Sequence, residues 1–182
     1  MGQTTLYIFA GRPGSGKTTL SQAFAARICA AHLRIDTIEQ ALRDLCSVEV
    51  QGEGYGLGYR VAGDILRSGV SVAADSCNPI ELTRREWEQV ALEAGVPYVN
   101  IEVVCSDPIE HRRRIETRKP SVLGLRLPTW QDVLNREYDG WSVSRIVLDT
   151  ANRNPEACVD SLMTDLAVLE AKRWNRRAHR PC

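Results

Sequence analysis

Short apolar runs alternate with segments of helical period along most of the chain. In the first helical segment Leu20, Phe24 and Ile28 stand four positions apart, so they fall on one face of a helix that begins near Lys17. Strands that alternate with helices in this way predict a mostly parallel sheet with helices on both faces. The five apolar runs cover residues 6–10, 32–36, 70–75, 98–105 and 145–149.

Two glycine-containing segments interrupt this alternation. Glycine occupies every second position from Gly52 to Gly58, and neither a strand period nor a helix period fits the surrounding residues 47–58. We therefore predict a mobile loop there, followed by a helix from Tyr59 to Arg67. The second break covers residues 124–128 and precedes a short predicted helix.

Residues 11–18 read Gly-Arg-Pro-Gly-Ser-Gly-Lys-Thr and match the full pattern G-x-x-x-x-G-K-[ST] of a phosphate-binding loop, or P-loop. The pattern follows an apolar strand and opens an amphipathic helix, which is the context that its mechanism requires. Its glycines let backbone N–H groups approach phosphate oxygens, and the helix N-terminus adds positive potential. Lys17 can neutralise the β- and γ-phosphates, and Thr18 can bind Mg²⁺.

Length and composition are those of an ordinary folded domain. The 182 residues are 43% hydrophobic and 25% charged, and 23 basic residues balance 23 acidic ones. We expect one domain over residues 1–182. Zero net charge argues against a general affinity for nucleic acid, which requires a basic field. The six cysteines lack zinc spacing, and no signal peptide or membrane span is evident, so we expect a cytoplasmic protein that does not bind membranes.

Two aspartates end predicted strands and are candidate site residues. Asp75 follows a run of small apolar residues, where a second carboxylate of a nucleotide site would hold Mg²⁺. Asp36 ends the second strand, and ligands gather at the carboxyl ends of strands in a parallel sheet. A carboxylate there can accept the proton of an attacking hydroxyl. Each aspartate also has a simpler alternative role, in a turn or as a helix cap.

With these features the chain resembles a group of P-loop kinases that includes the zeta toxins, chloramphenicol phosphotransferase, the kinase domain of polynucleotide kinases and many kinases of unknown substrate. The resemblance covers nearly the whole chain. It rests on five blocks, namely Gly11–Thr18, Arg34–Ile38, Val72–Ser76, Arg114–Arg118 and Val147–Thr150.

The resemblance implies a three-layer α/β P-loop NTPase fold whose five-stranded parallel sheet has the strand order 2-3-1-4-5. It implies ATP and Mg²⁺ as cofactors, Asp36 as the residue that positions or deprotonates the acceptor, and a short lid over residues 112–128. The lid arginines Arg114 and Arg118 match the pattern of residues that stabilise the transferring phosphoryl group, together with Lys17. The residues expected to contact ATP are Gly11, Arg12, Pro13, Gly14, Ser15, Gly16, Lys17, Thr18, Thr19 and Arg153, and those expected to bind the metal are Thr18 and Asp75.

One position departs from the polynucleotide-kinase branch of this group. That branch carries an arginine three residues after the acceptor aspartate, and this chain has Glu39 there. Because a carboxylate repels a phosphodiester, we expect a small hydroxylated substrate, uncharged or cationic, and consider nucleic acid an unlikely partner. The chain offers no indication of its oligomeric state or of the acceptor's identity.

Several alternatives stay open at the level of sequence. The protein could phosphorylate a nucleic-acid 5′-hydroxyl, or it could be a nucleotide-binding ATPase or regulatory switch that acts on a protein partner. The aromatic residues Trp130, Tyr138 and Trp141 could contact an organic acceptor or could pack the base of the lid. The three histidines show no metal spacing and receive no role.

The zero net charge conceals two basic segments. Residues 111–119 contain five basic residues and one acidic residue, a net charge of +4, and they overlap the predicted lid. Residues 171–182 contain five basic residues and no acidic one. We interpret them as a basic C-terminal tail whose simplest role is solubility.

Overall fold

The five predicted strands form one parallel sheet in a computed structural model, which describes residues 3–178 and the side chains of residues 3–172. The strand order is β2-β3-β1-β4-β5, as expected from the resemblance. Each strand pairs with its neighbours in that order, and every pair is parallel. The strands are β1 (Leu6–Ala10), β2 (Ala31–Arg34), β3 (Val72–Asp75), β4 (Tyr98–Val104) and β5 (Ile146–Asp149).

Helices connect the strands and form the two outer layers. Asp107 caps the fifth helix, because its carboxylate accepts hydrogen bonds from the backbone N–H groups of Ile109 and Glu110. Thr129 and Asp132 form a capping box at the start of the sixth. The helices are α1 (Lys17–Ile28), α2 (Ile35–Cys46), α3 (Glu53–Arg67), α4 (Glu81–Glu93), α5 (Pro108–Thr117), α6 (Trp130–Asn135) and α7 (Pro155–Ala178).

The sheet has a hydrophobic core on each face. Because side chains alternate along a strand, Leu6 and Ile8 of β1 point to one face and Phe9 points to the other. The first core packs under α3 and α4 and includes the fully buried Trp87. The second packs under α1 and α7 and includes Phe24. These two cores hold the carboxyl ends of the strands in fixed positions.

The glycine-rich segment is helical, so the prediction of a mobile loop over residues 47–58 was wrong for its second half. Helix α3 begins at Glu53, six residues before the predicted start at Tyr59. Gly54 and Gly58 are buried against α2. A Cβ atom on either glycine would overlap a side chain of α2, Glu39 or Ile35 respectively. The absence of side chains therefore allows α3 to pack closely on α2.

The second strand ends earlier than predicted. It stops at Arg34, so Asp36 lies in the first turn of α2 and not at the strand end. The predicted lid, residues 112–128, is the second half of α5 followed by an irregular segment that leads to α6.

The structure describes the predicted basic tail, residues 171–182, only in part: its backbone as far as Ala178 and its side chains as far as Lys172. Its backbone belongs to α7 as far as Ala178. Among the described residues, no helix combines the length and the hydrophobicity that crossing a bilayer requires.

Candidate active site

The P-loop adopts a conformation that depends on glycine. Gly14 and Gly16 have φ angles of 81° and 92°, in the left-handed region that disfavours other residues. A Cβ atom on Gly14 would lie 2.6 Å from Cδ1 of Ile115. The loop therefore fits under α5 only because Gly14 lacks a side chain.

Three hydrogen bonds fix the backbone of the P-loop to its surroundings. His111 Nε2 lies 2.8 Å from the carbonyl oxygen of Pro13, and since a carbonyl only accepts, this nitrogen carries a proton. The hydroxyl of Thr150 donates to the carbonyl oxygen of Ser15 at 2.8 Å. The N–H of Gly11 donates to the carbonyl oxygen of Cys77 at 3.1 Å. The loop is thus held from α5, from the residue after β5 and from the segment after β3.

Lys17 and Asp75 form a buried ion pair at the centre of the site. Lys17 Nζ lies 3.2 Å from Asp75 Oδ1, and the two side chains are 8% and 1% exposed. Burial alone would lower the pKa of Lys17 and raise that of Asp75, because it penalises both charged forms. The nearby charges and hydrogen bonds together outweigh burial, and the largest of these contributions is the opposite charge of the partner. The pKa of Lys17 therefore lies above its ordinary value and that of Asp75 below.

Parallel register places Asp75 between the P-loop and the end of β2. Asp75 is opposite Phe9 of β1 and Arg34 of β2. Its second oxygen, Oδ2, is buried without a hydrogen bond; His32 Nε2 lies 3.4 Å away and Arg34 Nε 4.0 Å away. His32 Nε2 is also 3.0 Å from the hydroxyl of Ser21.

These residues fit a magnesium ion that is bound mostly by water and phosphate. Thr18 is in the first turn of α1, directly after Lys17, and its proximity to Asp75 helps to lower the pKa of that carboxyl group. Among the described residues, no group of three or more His, Cys, Asp or Glu side chains could hold a metal by itself. Mg²⁺ in nucleotide sites needs only one or two protein oxygens, and Oδ2 of Asp75, which accepts no hydrogen bond, offers one.

The main cavity, of about 1010 Å³, opens above the Lys17–Asp75 pair. It extends from the P-loop in two directions, which we call the β5 side and the β2 side. Its lining residues on the β5 side include Thr150, Arg153, Pro155 and Cys158. Its lining residues on the β2 side include Arg34, Thr37, Ile38, Arg118, Lys119, Ser121 and Leu127.

The two predicted lid arginines both line the main cavity but differ in their surroundings. The guanidinium group of Arg114 donates to the hydroxyl and carbonyl oxygens of Thr150 and to Glu110, at 2.7 to 2.9 Å. The Nε of Arg118 is buried with no hydrogen bond. Burial lowers the pKa of Arg118, and the positive charge of Arg34 adds to this effect, while Asp36 opposes it. Arg114 is thus pre-positioned by its hydrogen bonds, whereas the buried Nε of Arg118 has none.

Asp36 lies beside the β2 side of the main cavity. Its Oδ2 accepts a hydrogen bond from Arg34 at 3.2 Å, and its side chain is 40% exposed. Asp36 does not itself line the cavity, although Arg34 and Thr37 close to it in sequence do. Arg34 also donates to the hydroxyl of Ser121 at 2.8 Å.

Some predicted nucleotide contacts face the main cavity and others do not. The residues of this set that line it are Gly14, Gly16, Lys17, Thr18, Thr19 and Arg153. The residues of the set that do not line it are Gly11, Arg12, Pro13 and Ser15.

Arg12 and Arg153 are occupied by contacts within the protein. Arg12 donates to the carbonyl oxygen of Val133 at 2.8 Å and stacks on the ring of Tyr138, so it points away from the cavity. Arg153 donates to the carbonyl oxygens of Asp149 and Ala157 and to Ser161.

The aromatic residues after the lid pack within the protein. The guanidinium of Arg84 lies 5.0 Å from the ring centre of Tyr138 and 4.1 Å from that of Trp141. Trp130 makes an edge contact with His111. None of the three aromatic residues lines the main cavity. The structure therefore favours the packing role over contact with an organic acceptor.

Glu39 does not line the main cavity either. It pairs with Arg43 at 3.3 Å and packs against Gly54. The expectation of an uncharged or cationic acceptor, which rested on Glu39, therefore loses its basis.

Two residues of the site were not predicted. His32 received no role, yet it lies beside Asp75; its position in β2, two residues before the strand ends, was the available signal. Thr150 belongs to the block Val147–Thr150, but its link between Ser15 and Arg114 depends on tertiary contacts.

The fold and the P-loop geometry define a protein of the P-loop NTPase type. A family model described as an AAA domain matches residues 6–130, which is more than half of the chain. The chain therefore belongs to this AAA domain family. The narrower resemblance to zeta toxins and polynucleotide kinases stays a prediction. No curated protein sequence matches the chain significantly.

Solved structures share the fold over nearly the whole chain. The APS kinase of Mycobacterium tuberculosis, in complex with AMPPNP and APS, has a TM-score of 0.69 at 15% identity over 92% of this chain and 99% of its own. A gluconokinase from Sinorhizobium meliloti has a TM-score of 0.66 at 16% identity, over 97% and 99%. Kti12 of Chaetomium thermophilum, in complex with ADP-AlF3, has a TM-score of 0.63 at 18% identity over 87% of this chain and 97% of its own.

Proposed function

We propose that the protein is a kinase that transfers the γ-phosphoryl group of ATP to a hydroxyl group of a small molecule. The observation that carries this proposal is the continuity of the main cavity, which joins the P-loop to a polar pocket beside Asp36. A protein that only hydrolyses ATP needs no such second pocket. A kinase needs one, since the acceptor must meet the phosphoryl group away from bulk water.

In this proposal the chain binds and orients the nucleotide with groups that are already in place. The P-loop N–H groups and the N-terminus of α1 hold the phosphates. Lys17 reaches the β- and γ-phosphates once they compete with Asp75 for its ammonium group. Arg114 is fixed at the cavity wall and Arg118 lines the same cavity, so both can stabilise the charge of the transferring group.

A bound Mg²⁺, held by Thr18 and Asp75, would neutralise phosphate charge and orient the β- and γ-phosphates. Asp36 would accept the proton of the acceptor hydroxyl or orient it, while Arg34 holds its carboxylate in position.

The neighbours in structure support this proposal. One is an APS kinase in complex with AMPPNP and APS, and another is a gluconokinase. Both resemble this chain over almost its whole length, at an identity that by itself establishes only the fold.

Turnover of ATP in the presence and absence of acceptors tests the function. ADP release from Mg²⁺–ATP is measured with a panel of small hydroxylated compounds, and phosphorylated products are identified by mass spectrometry. Lys17→Ala should abolish turnover. Asp36→Asn should lower kcat by about 10²- to 10⁴-fold, the usual contribution of a general base, and leave the Kd for AMPPNP unchanged.

Asp64→Asn is the matched control, because Asp64 is an exposed aspartate whose ion pair is with Arg67. If Asp36→Asn transfers the phosphoryl group as fast as the wild type does, Asp36 has no part in the mechanism. ADP release that no acceptor stimulates would contradict the kinase proposal in favour of an ATPase or switch. Phosphorylation of an oligonucleotide 5′-hydroxyl in preference to small molecules would identify the other alternative.

A further inference from the structure

The main cavity is lined by positively charged side chains without negatively charged ones among the described residues. Among the described residues, six lysine and arginine side chains line it and no aspartate or glutamate does. Such cations are rarely gathered in a cavity without carboxylates unless an anion is to be bound, because their mutual repulsion and desolvation cost free energy. The six are Lys17, Arg34, Arg114, Arg118, Lys119 and Arg153.

The nucleotide accounts for only part of this charge. Lys17, Arg114 and Arg153 lie at the P-loop and on the β5 side, where the phosphates and the rest of ATP would bind. Lys17 and Arg114 also have carboxylate partners, Asp75 and Glu110.

The β2 side retains an excess of positive charge. Arg34, Arg118 and Lys119 bring three positive charges to this side, and Asp36, which pairs with Arg34, brings one negative charge. Because Lys17 balances the charge of Asp75, the β2 side has a net charge of +2. Among the described residues, neither Arg118 nor Lys119 has a carboxylate within ion-pair distance. Arg118 is placed next to the phosphoryl group in the proposed function, which leaves Arg34 and Lys119 to meet the acceptor itself.

We propose that the acceptor carries an anionic group, a carboxylate or a phosphate or sulfate ester, which Arg34 and Lys119 bind while its hydroxyl group faces Asp36. This inference rests on the proposed kinase function and specifies its substrate class. The hydroxyls of Thr37 and Ser121 and the apolar side chains of Ile38 and Leu127 complete the pocket. These groups suit a short polyhydroxylated chain with one charged end.

The size of the main cavity favours a compact acceptor over a polynucleotide. The cavity volume of about 1010 Å³ lies at the top of the range of about 300 to 1,000 Å³ that holds one small ligand, which suits a nucleotide and a compact acceptor together.

Matched pairs of acceptors test this inference. Gluconate is compared with glucose, glycerate with glycerol, and glycerol 3-phosphate with glycerol, each with Mg²⁺–ATP and ADP release as the readout. The pairs also separate a carboxylate from a phosphate as the recognised group. The anionic member should have a kcat/KM at least about tenfold higher, as expected for one additional charge-assisted hydrogen bond.

Lys119→Gln should raise the KM for the anionic acceptor about tenfold while the KM for ATP and kcat stay unchanged. Lys119→Glu should reverse the preference within each pair. Lys172→Gln is the matched control, since Lys172 is an exposed lysine of α7 that does not line the cavity, and it should change nothing.

A binding measurement makes the test independent of turnover. Sulfate is titrated into the protein saturated with Mg²⁺–AMPPNP, with chloride at equal ionic strength as the reference. Tighter binding of sulfate that Lys119→Glu abolishes and Lys172→Gln retains supports the inference.

The inference is overturned if sulfate binds no more tightly than chloride, or if Lys119→Glu leaves sulfate binding unchanged. It is also overturned if the protein prefers the neutral member of any pair, or an oligonucleotide. Failure to bind AMPPNP at all would instead overturn the proposed kinase function, so the two failures are distinguishable.

Discussion

The buried pair of Lys17 and Asp75 bears on both the charge balance of the interior and the proposed binding of nucleotide. A buried ion pair contributes little net stability, but removing one partner leaves an uncompensated charge in the interior. The pair also keeps Lys17 positively charged and pointing toward the phosphate site. Nucleotide binding can then exchange one anionic partner of Lys17 for another without exposing a bare charge.

Asp75→Asn should destabilise the protein without nucleotide by about 3 kcal/mol, because Lys17 would stay buried without its counter-ion. The double variant Lys17→Met/Asp75→Asn should recover most of this loss. Urea unfolding measures both free energies. A double variant at least as unstable as Asp75→Asn would show that the pair is not the source of the effect.

Glu39 gives a second prediction at the scale of one residue. Burial raises the pKa of Glu39 above its ordinary value of 4.5, and the hydrogen bond from Arg43 opposes this only in part. The folded state therefore favours the protonated form, and this contribution to stability is lost as the pH rises through the pKa of Glu39.

Glu39→Gln should accordingly become more stable relative to the wild type as the pH rises above 4.5, since the amide has no charge to bury. Denaturant unfolding at a series of pH values between acid and neutral measures the difference. A constant difference across this range would contradict the prediction.

At the scale of the element, α3 is the segment that the sequence pattern described least well. Alternating glycines lower helix propensity by up to about 1 kcal/mol each, so a loop was the natural prediction. Two of these glycines, Gly54 and Gly58, face α2 and permit close packing, whereas Gly56 is exposed and has no neighbouring atom within 4 Å of the position that a Cβ would take. The helix is thus stabilised by packing and not by its local sequence.

Gly56→Ala and Gly58→Ala should have opposite effects for this reason. Gly56→Ala should stabilise the protein by about 0.5–1 kcal/mol, because alanine is the better helix former and meets no neighbour. Gly58→Ala should destabilise it by about 1–3 kcal/mol, because the new methyl group overlaps the buried Ile35. Thermal or urea unfolding of both variants measures the signs, and equal signs would contradict the proposed packing.

At the scale of the whole molecule, the site is assembled from segments far apart in sequence. The P-loop, the end of β2, α5 and the segment after β5 all line one cavity, and Asp75 at the end of β3 lies beneath it. A ligand that contacts all of them binds only the folded state, so it should stabilise the entire domain.

Mg²⁺–AMPPNP at one hundred times its Kd should stabilise the protein by about 2.7 kcal/mol, which corresponds to a rise in Tm of about 5–10 °C for a chain of this size. Lys17→Ala should lose most of this rise, and Lys172→Ala, an exposed lysine, should keep it. Removing Mg²⁺ with EDTA should reduce the rise in the wild type. An equal rise with and without Mg²⁺ would contradict the metal role of Thr18 and Asp75.

The sequence alone determined the P-loop, the alternation of strands and helices, and, through the resemblance, the strand order. These follow from local physical causes: phosphate-binding geometry requires glycine and lysine at fixed spacing, and hydrophobic periodicity differs between strands and helices. The predicted boundaries of strands and helices were less accurate. Strand β2 ends at Arg34, so Asp36 lies in α2.

Only the tertiary structure decided which side chains meet. Parallel register placed Asp75 between the P-loop and Arg34, and it placed His32 beside Asp75. Glu39 packs against Gly54 of α3 and does not line the cavity, whereas Arg34 and Lys119 do. Direction and distance between remote segments depend on how whole helices and strands pack, and no local pattern in the sequence specifies them.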